Sequence, residues 1–296
     1  MIRLTALSKR YGSFTAVDSI DLDVPRGELF GFLGPNGAGK TTTIRILLDL
    51  LRPSAGAARL FGLDSRADSR AIRSRTGNLP GDFAWDDRTT GRSLLALLAR
   101  LRGLAGLGRA DTLAERFDAD LDRPLGELSR GNRQKVGLIQ AFFHTPELVI
   151  LDEPTSGLDP LMQEQFVHLL AEERAAGRTI FLSSHDLAEV EQACDRVAMI
   201  GSGRLVAVDR VEALAARGQR HVHVEFDSPV SAMVFAELPG VTDVRLTARG
   251  LDFRVAGDLD AVVKAAARHH VTDLQVARPS LEESFVELYE SAERAA

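Results

Sequence analysis

The sequence predicts an α/β protein: a parallel sheet with helices on its faces, followed by a small α+β domain. Three observations predict this. Short apolar runs at Leu148–Leu151, Thr179–Ser183 and Arg196–Ile200 read as buried strands. Helical patterns over about 161–176 and 187–194 separate them, and that alternation belongs to a parallel sheet. Near Asp209–Arg220 the character changes to alternating strands and shorter helices.

Taken in order, Ile20–Val24 and Glu28–Leu33 read as strands bounded by Pro25-Arg26-Gly27. A glycine-rich turn follows, then an apolar-periodic helix from about Thr41 to Leu51 that Pro53 stops. From Arg88 to Phe117 the pattern is purely helical, so a helical insertion over about 88–145 is expected within a first domain of residues 1–217. The second domain, 218–296, reads as a strand (His221–Phe226), a helix, and two strands (Thr242–Thr247, Leu251–Val255). A helix (Leu259–Arg268), a strand (Val271–Val276) and an amphipathic helix from Ser280 complete it.

Gly34-Pro35-Asn36-Gly37-Ala38-Gly39-Lys40-Thr41 fits the GxxxxGK[ST] pattern of a phosphate-binding loop, between an expected strand and an expected helix. Glycines let backbone N–H groups turn inward around phosphate oxygens, and the helix N-terminus favours an anion. Lys40 is the candidate for the β- and γ-phosphates of ATP, Thr41 for Mg²⁺, and Thr42 continues the set of ATP contacts. The run Leu148–Leu151 ends in Asp152 and Glu153, at the edge where open parallel sheets bind ligands. Asp152 suits the Mg²⁺ shell, and Glu153 is placed to orient or deprotonate an attacking water. His185 ends a third strand, where it is either structural or a γ-phosphate contact.

Composition excludes several classes. A net charge of −6 argues against a broad nucleic-acid-binding surface. One cysteine, Cys194, excludes an internal disulfide and fits a reducing compartment. Met1–Leu7 holds no apolar signal core, and no run reaches the roughly 18–20 uncharged apolar residues of a membrane span. Only four of the 36 basic residues are lysines, so a lysine at a motif position carries weight.

Ser129-Arg130-Gly131-Asn132-Arg133-Gln134-Lys135, just ahead of the acidic strand, resembles the signature of an ABC (ATP-binding cassette) ATPase in the form LSRGN. The stretch from Leu4 to about Arg210 resembles that family, with its motifs in the family's order. Ser156-Gly157-Leu158-Asp159 resembles the D-loop, His185 the switch histidine, and Tyr11 the aromatic that stacks on adenine, the alternative for Tyr11 being core packing. The resemblance implies two cassettes head to tail, each ATP held by the phosphate loop of one and the signature of the other. Ser129, Gly131, Asn132 and Asp159 would then touch ATP from the partner, and Ser129 also suits a plain helix N-cap. The sequence departs from the family at Arg130 and Asn132, and at Gly81-Asp82, where the Q-loop glutamine is expected. Asp82 is either a substitute contact for Mg²⁺ or a solvated loop residue.

The resemblance further implies the energy subunit of a bacterial drug, antibiotic or polysaccharide exporter, peripheral on the cytoplasmic face of the membrane. It implies a separate transmembrane permease, touched through the segment Trp85–Leu104, and self-pairing into a homodimer. A segment like Pro279–Phe285 also ends the exporter-type relatives. Two other readings are a soluble ABC ATPase on ribosomes or DNA, disfavoured by the acidic balance, and a nucleotide sensor with little turnover, disfavoured by Glu153 and His185 together.

Overall fold

The structure, a computed structural model, describes residues 1–215, 218–277 and 285. The chain divides into two compact units, Met1–Asp209 and Arg210–Ala296, so the division falls ahead of the expected start at 218.

The first unit holds two sheets. One is antiparallel, in the order β2-β1-β4-β5, from β1 (Ile2–Tyr11), β2 (Phe14–Val24), β4 (Ala55–Leu60) and β5 (Leu63–Asp64). The other has the order β10-β9-β3-β8-β7-β6, from β3 (Leu29–Leu33), β6 (Thr76–Leu79), β7 (Leu148–Asp152), β8 (Thr179–Ser184), β9 (Arg196–Gly201) and β10 (Arg204–Arg210). The pairs β3–β8, β3–β9, β7–β8 and β6–β7 are parallel. The strand read at Ile20–Val24 therefore lies outside the parallel sheet and begins earlier, at Phe14. The reason is visible in its alternation: Ile20, Leu22 and Val24 are buried while Asp21 and Asp23 face solvent, the mark of a sheet with one wet face. β3, β7 and β8 are buried throughout, as strands covered on both faces must be.

The helix after the glycine-rich turn, α1 (Lys40–Leu47), ends short of the expected Leu51. Asp49 adopts φ 55°, and that left-handed turn stops the helix before Pro53 is reached. α2 (Ser69–Ser74) leads into β6. The purely helical stretch is two helices, α3 (Gly91–Leu101), capped by the Thr90 hydroxyl, and α4 (Gly108–Phe117), parted at Gly103 (φ 70°). α5 (Arg130–Phe142) is buried nearly all round from Gln134 to Phe142 and delivers the chain to β7. α6 (Pro160–Ala175) and α7 (Leu187–Ala193) follow β7 and β8.

The second unit opens with α8 (Val211–Ala215). Its antiparallel sheet runs β12-β13-β11-β14, from β11 (Arg220–Phe226), β12 (Val241–Leu246), β13 (Gly250–Val255) and β14 (Val271–Ala277). α9 (Met233–Ala236) and α10 (Asp260–Ala266) pack Phe235, Val262 and Ala266 against Val222, Val224 and Phe253. The expected helix from Ser280, and all of the segment Pro279–Phe285 but Phe285, lie outside the described residues.

Candidate nucleotide site

The C-terminal edge of the parallel sheet gathers the candidate residues. Residues 34–39 link β3 to α1. Gly39 takes φ 112°, and a Cβ there would stand 2.5 Å from the Ala16 carbonyl oxygen, so only glycine lets β2 and the loop approach this closely. Pro35, Asn36 and Gly37 are exposed at the turn, Ala38 is buried, and Thr42 is half-buried.

Lys40 opens α1 and is 5% exposed. Its Nζ donates to the carbonyls of Gly34 at 2.5 Å and Pro35 at 3.3 Å, and pairs with Glu153 Oε1 at 3.3 Å. Burial makes an unpaired ammonium costly, and these three oxygens compensate it. The Thr41 hydroxyl donates to Asp152 Oδ2 at 2.8 Å, and Ser183 Oγ donates to Asp152 Oδ1 at 2.5 Å. Asp152 is thereby held from two neighbouring elements, α1 and β8, and is 2% exposed.

Glu153 leaves β7 in a left-handed backbone conformation, φ 50°, which is strained for a residue with a side chain. Three hydrogen bonds to its own and the next residue's backbone fix it. Its N–H donates to the Ser183 carbonyl at 3.1 Å, and the Gln134 amide donates to the carbonyls of Glu153 and Pro154 at 3.3 and 2.8 Å. So aimed, its carboxylate meets Lys40 through Oε1 and His185 Nδ1, at 2.5 Å, through Oε2. The structure thus sets two bonded groups side by side, Lys40–Glu153–His185 and Thr41–Asp152–Ser183, on the adjacent residues Asp152 and Glu153.

A second cluster forms around the start of α5. Ser129 is the N-cap: its Oγ accepts from the Asn132 N–H at 3.2 Å. Arg130 donates to Ser156 Oγ at 2.8 Å. A Cβ on Gly131 would stand 2.6 Å from the Gly157 carbonyl oxygen, so glycine permits this helix start to sit against the Ser156–Asp159 turn. Asp159 caps α6 by accepting from the Met162 N–H at 3.0 Å. None of Ser129, Gly131, Asn132 or Asp159 bonds to the Lys40 set.

Tyr11 ends β1 opposite Phe14 and is 47% exposed, with Lys9 Nζ 4.9 Å from its ring centroid. It is not a core residue, and the Lys9 ammonium covers part of its ring. Asp82 is exposed and bonds to nothing among the described residues; at the end of β6 it is Gly81 that lies against Asp152, a Cβ there standing 3.3 Å from Oδ2. Sequence reasoning missed Gln134 and Ser183. A buried glutamine in mid-helix and paired serines at a strand end were the available signals.

A sequence profile described as ABC transporter matches residues 17–156. The bacitracin transport ATP-binding protein BcrA of Bacillus licheniformis is 37% identical over 245 residues, covering 80% of this chain and 78% of its own. The daunorubicin resistance ATP-binding protein DrrA3 of Streptomyces coeruleorubidus is 36% identical over 301 residues, covering 97% and 95%. Among solved structures, an ATP-binding subunit of an ABC transporter superposes with TM-score 0.68 at 30% identity, over 72% of this chain and 91% of that one. The dimeric bacterial cassette MJ0796 gives TM-score 0.66 at 20% identity, over 71% and 98%, which speaks for the fold alone.

Proposed function

The chain belongs to the ABC transporter ATP-binding family, and from that premise we propose that it is the ATP-hydrolysing subunit of a drug- or antibiotic-type exporter, closing as a head-to-tail pair around ATP. The single observation that carries the reading is the junction of Lys40, Glu153 and His185 beside the Thr41–Asp152 pair. It contains a phosphate-binding cation, a carboxylate to act on water and a group to orient that carboxylate.

The roles follow from charge and reach. A terminal phosphate is an anion, and it competes with Glu153 for Lys40. Drawn off Lys40, Glu153 keeps its contact with His185 and can accept a proton from water. Tyr11 offers its exposed ring to the adenine, and Gly34–Gly39 with Thr42 line the phosphates. The hydroxyl of Thr41 and carboxylate of Asp152 are hard oxygens 2.8 Å apart, a donor set that suits Mg²⁺, which binds through one or two protein oxygens plus phosphates. When bound there it supplies charge neutralisation at the phosphate oxygens. Ser129, Gly131, Asn132 and Asp159, gathered at the start of α5 and the adjoining 156–159 turn, are the contacts for the partner's ATP.

The transport role is read from the relatives, which transport bacitracin or confer daunorubicin resistance. Among the described residues no helix is long and apolar enough to cross a membrane, so a separate permease chain would supply the path, with this chain on its cytoplasmic face. Trp85, Leu97, Leu101 and Leu104 are exposed between the phosphate loop and the signature, apolar surface of the kind an interface covers. The test is steady-state turnover of Glu153→Gln. A loss of about 100-fold or more, with Mg-ATP binding retained, is expected for a residue that acts on the attacking water. Turnover at the unsubstituted rate would remove the hydrolytic assignment.

A further inference from the structure

Past the last ladder pair of β7 and β8, Asp152 with Ser183, the chain carries Glu153 on one side and His185 on the other. Their side chains must meet, yet His185 is exposed and has little packing of its own to hold it. Glu189, on α7, bonds to a neighbour of each. It is 8% exposed, and its Oε2 accepts from Ser184 Oγ at 2.7 Å and from Thr155 Oγ1 at 3.3 Å. Ser184 Oγ also accepts from the Asp186 N–H at 3.0 Å, and Asp186 Oδ1 accepts from the N–H groups of Ala188 and Glu189, which closes the turn around His185. Thr155 stands two residues beyond Glu153, on the backbone that Gln134 fixes.

We propose that Glu189 is a positioning residue for ATP hydrolysis: its carboxylate ties the turn carrying His185 to the turn carrying Glu153 and so keeps the two side chains in contact. The proposal rests on the reading of Glu153 and His185 as the hydrolytic pair. A purely space-filling role fits the site poorly. Burial pushes the Glu189 carboxyl up to about 7 against the pull of its two hydroxyl bonds, with the charges of Asp186 and Glu153 adding to the rise. Its Oε1 is buried and bonds to nothing among the described residues. An apolar side chain of the same size would avoid both penalties, and it would not bridge two hydroxyls.

The test uses the full chain, with kcat at saturating Mg-ATP and Kd for Mg-ATP measured side by side. Glu189→Gln keeps an oxygen that accepts from both hydroxyls, so its kcat should stay within about 3-fold of the unsubstituted chain. Glu189→Leu keeps the size and removes the bridge. Its kcat should fall about 10-fold or more while Kd moves less than about 3-fold, since a small displacement of a catalytic pair costs rate before it costs binding. Thr155→Val, nearly isosteric, removes one arm and should lower kcat in the same sense, which decides the matter if Glu189→Leu does not fold. Unsubstituted kcat in Glu189→Leu or Thr155→Val overturns the proposal, as does a parallel loss of kcat and Kd. If Glu153→Gln itself turns over normally, the hydrolytic pair is wrong; if it is inactive while Thr155→Val is fully active, only the role of Glu189 fails.

Discussion

At the scale of single residues, the site depends on one strained position. A left-handed backbone at a side-chain-bearing residue costs about 1–3 kcal/mol, and here it falls on Glu153, the residue that faces both Lys40 and His185. Gln134 and Ser183 hold it there from segments far apart in the chain. This is why Lys40, Thr41, Asp152 and Glu153 were legible as a set while Gln134, Ser183 and Glu189 were not. The first group lies in local patterns whose chemistry is fixed by spacing, and the second acquires its meaning only from contacts that folding makes. His144 offers a separate test at this scale. Its Nε2 bonds the Thr76 carbonyl at 3.3 Å and its buried Nδ1 has no partner among the described residues, so a second proton would enter a place with no acceptor. Burial, with the charges of Arg102 and Arg109, lowers its pKa to about 4 against the Thr76 bond. The folded chain then binds fewer protons than the unfolded chain below about pH 6.5, so stability falls as the pH drops from there toward 4. Denaturant unfolding at pH 7 and pH 5 should show the unsubstituted chain losing about 1–2 kcal/mol more than His144→Gln, after allowance for residual solvation. Equal losses in both would show that His144 titrates normally in the folded state.

At the scale of elements, four strands of the first unit's parallel sheet were legible, β6 and β10 were not, and of its antiparallel sheet only the end of β2 was. β3, β7, β8 and β9 announce themselves as short continuous apolar runs. β1 conceals its period: register shifts follow Leu4 and Leu7, and Ala6 adopts φ 43°, so the alternation breaks inside the strand. β4, rich in alanine and glycine, has little apolar signal to read. The start of α5 shows how an element places a site. Its contact with the 156–159 turn depends on the small size of Gly131, and Ala there would push its Cβ into the Gly157 carbonyl. Overpacking of this kind costs about 1–3 kcal/mol locally. Gly131→Ala is therefore expected to keep Mg-ATP binding to the single chain, measured by calorimetry, and to lose about 10-fold or more in turnover, because the displaced segment is the one proposed to touch a partner's ATP. Unchanged turnover would mean that this close packing has no part in the reaction.

At the scale of the whole molecule, each compact unit carries its own core, and the bonded Lys40 set lies in the first. The second unit buries Val222, Val224, Phe235 and Phe253 under α9 and α10, and on the other face of β11 His223 is held by Asp252 at 2.8 Å. Its sequence announced strands and helices but no chemistry, and the structure adds no metal-binding cluster among the described residues. Within the first unit, Ser129, Gly131, Asn132 and Asp159 make no bond to Lys40, Glu153 or His185, and the proposed second copy would give them an ATP to touch. One chain presents a phosphate loop and a signature that do not bond to each other, and pairing head to tail would give each loop a signature to face. The most direct measurement is the sedimentation of the purified full chain bearing Glu153→Gln, with and without saturating Mg-ATP. A shift from monomer to dimer on adding Mg-ATP, reversed by Lys40→Ala in the same background, is the result predicted. A chain that binds Mg-ATP and stays monomeric would contradict the sandwich.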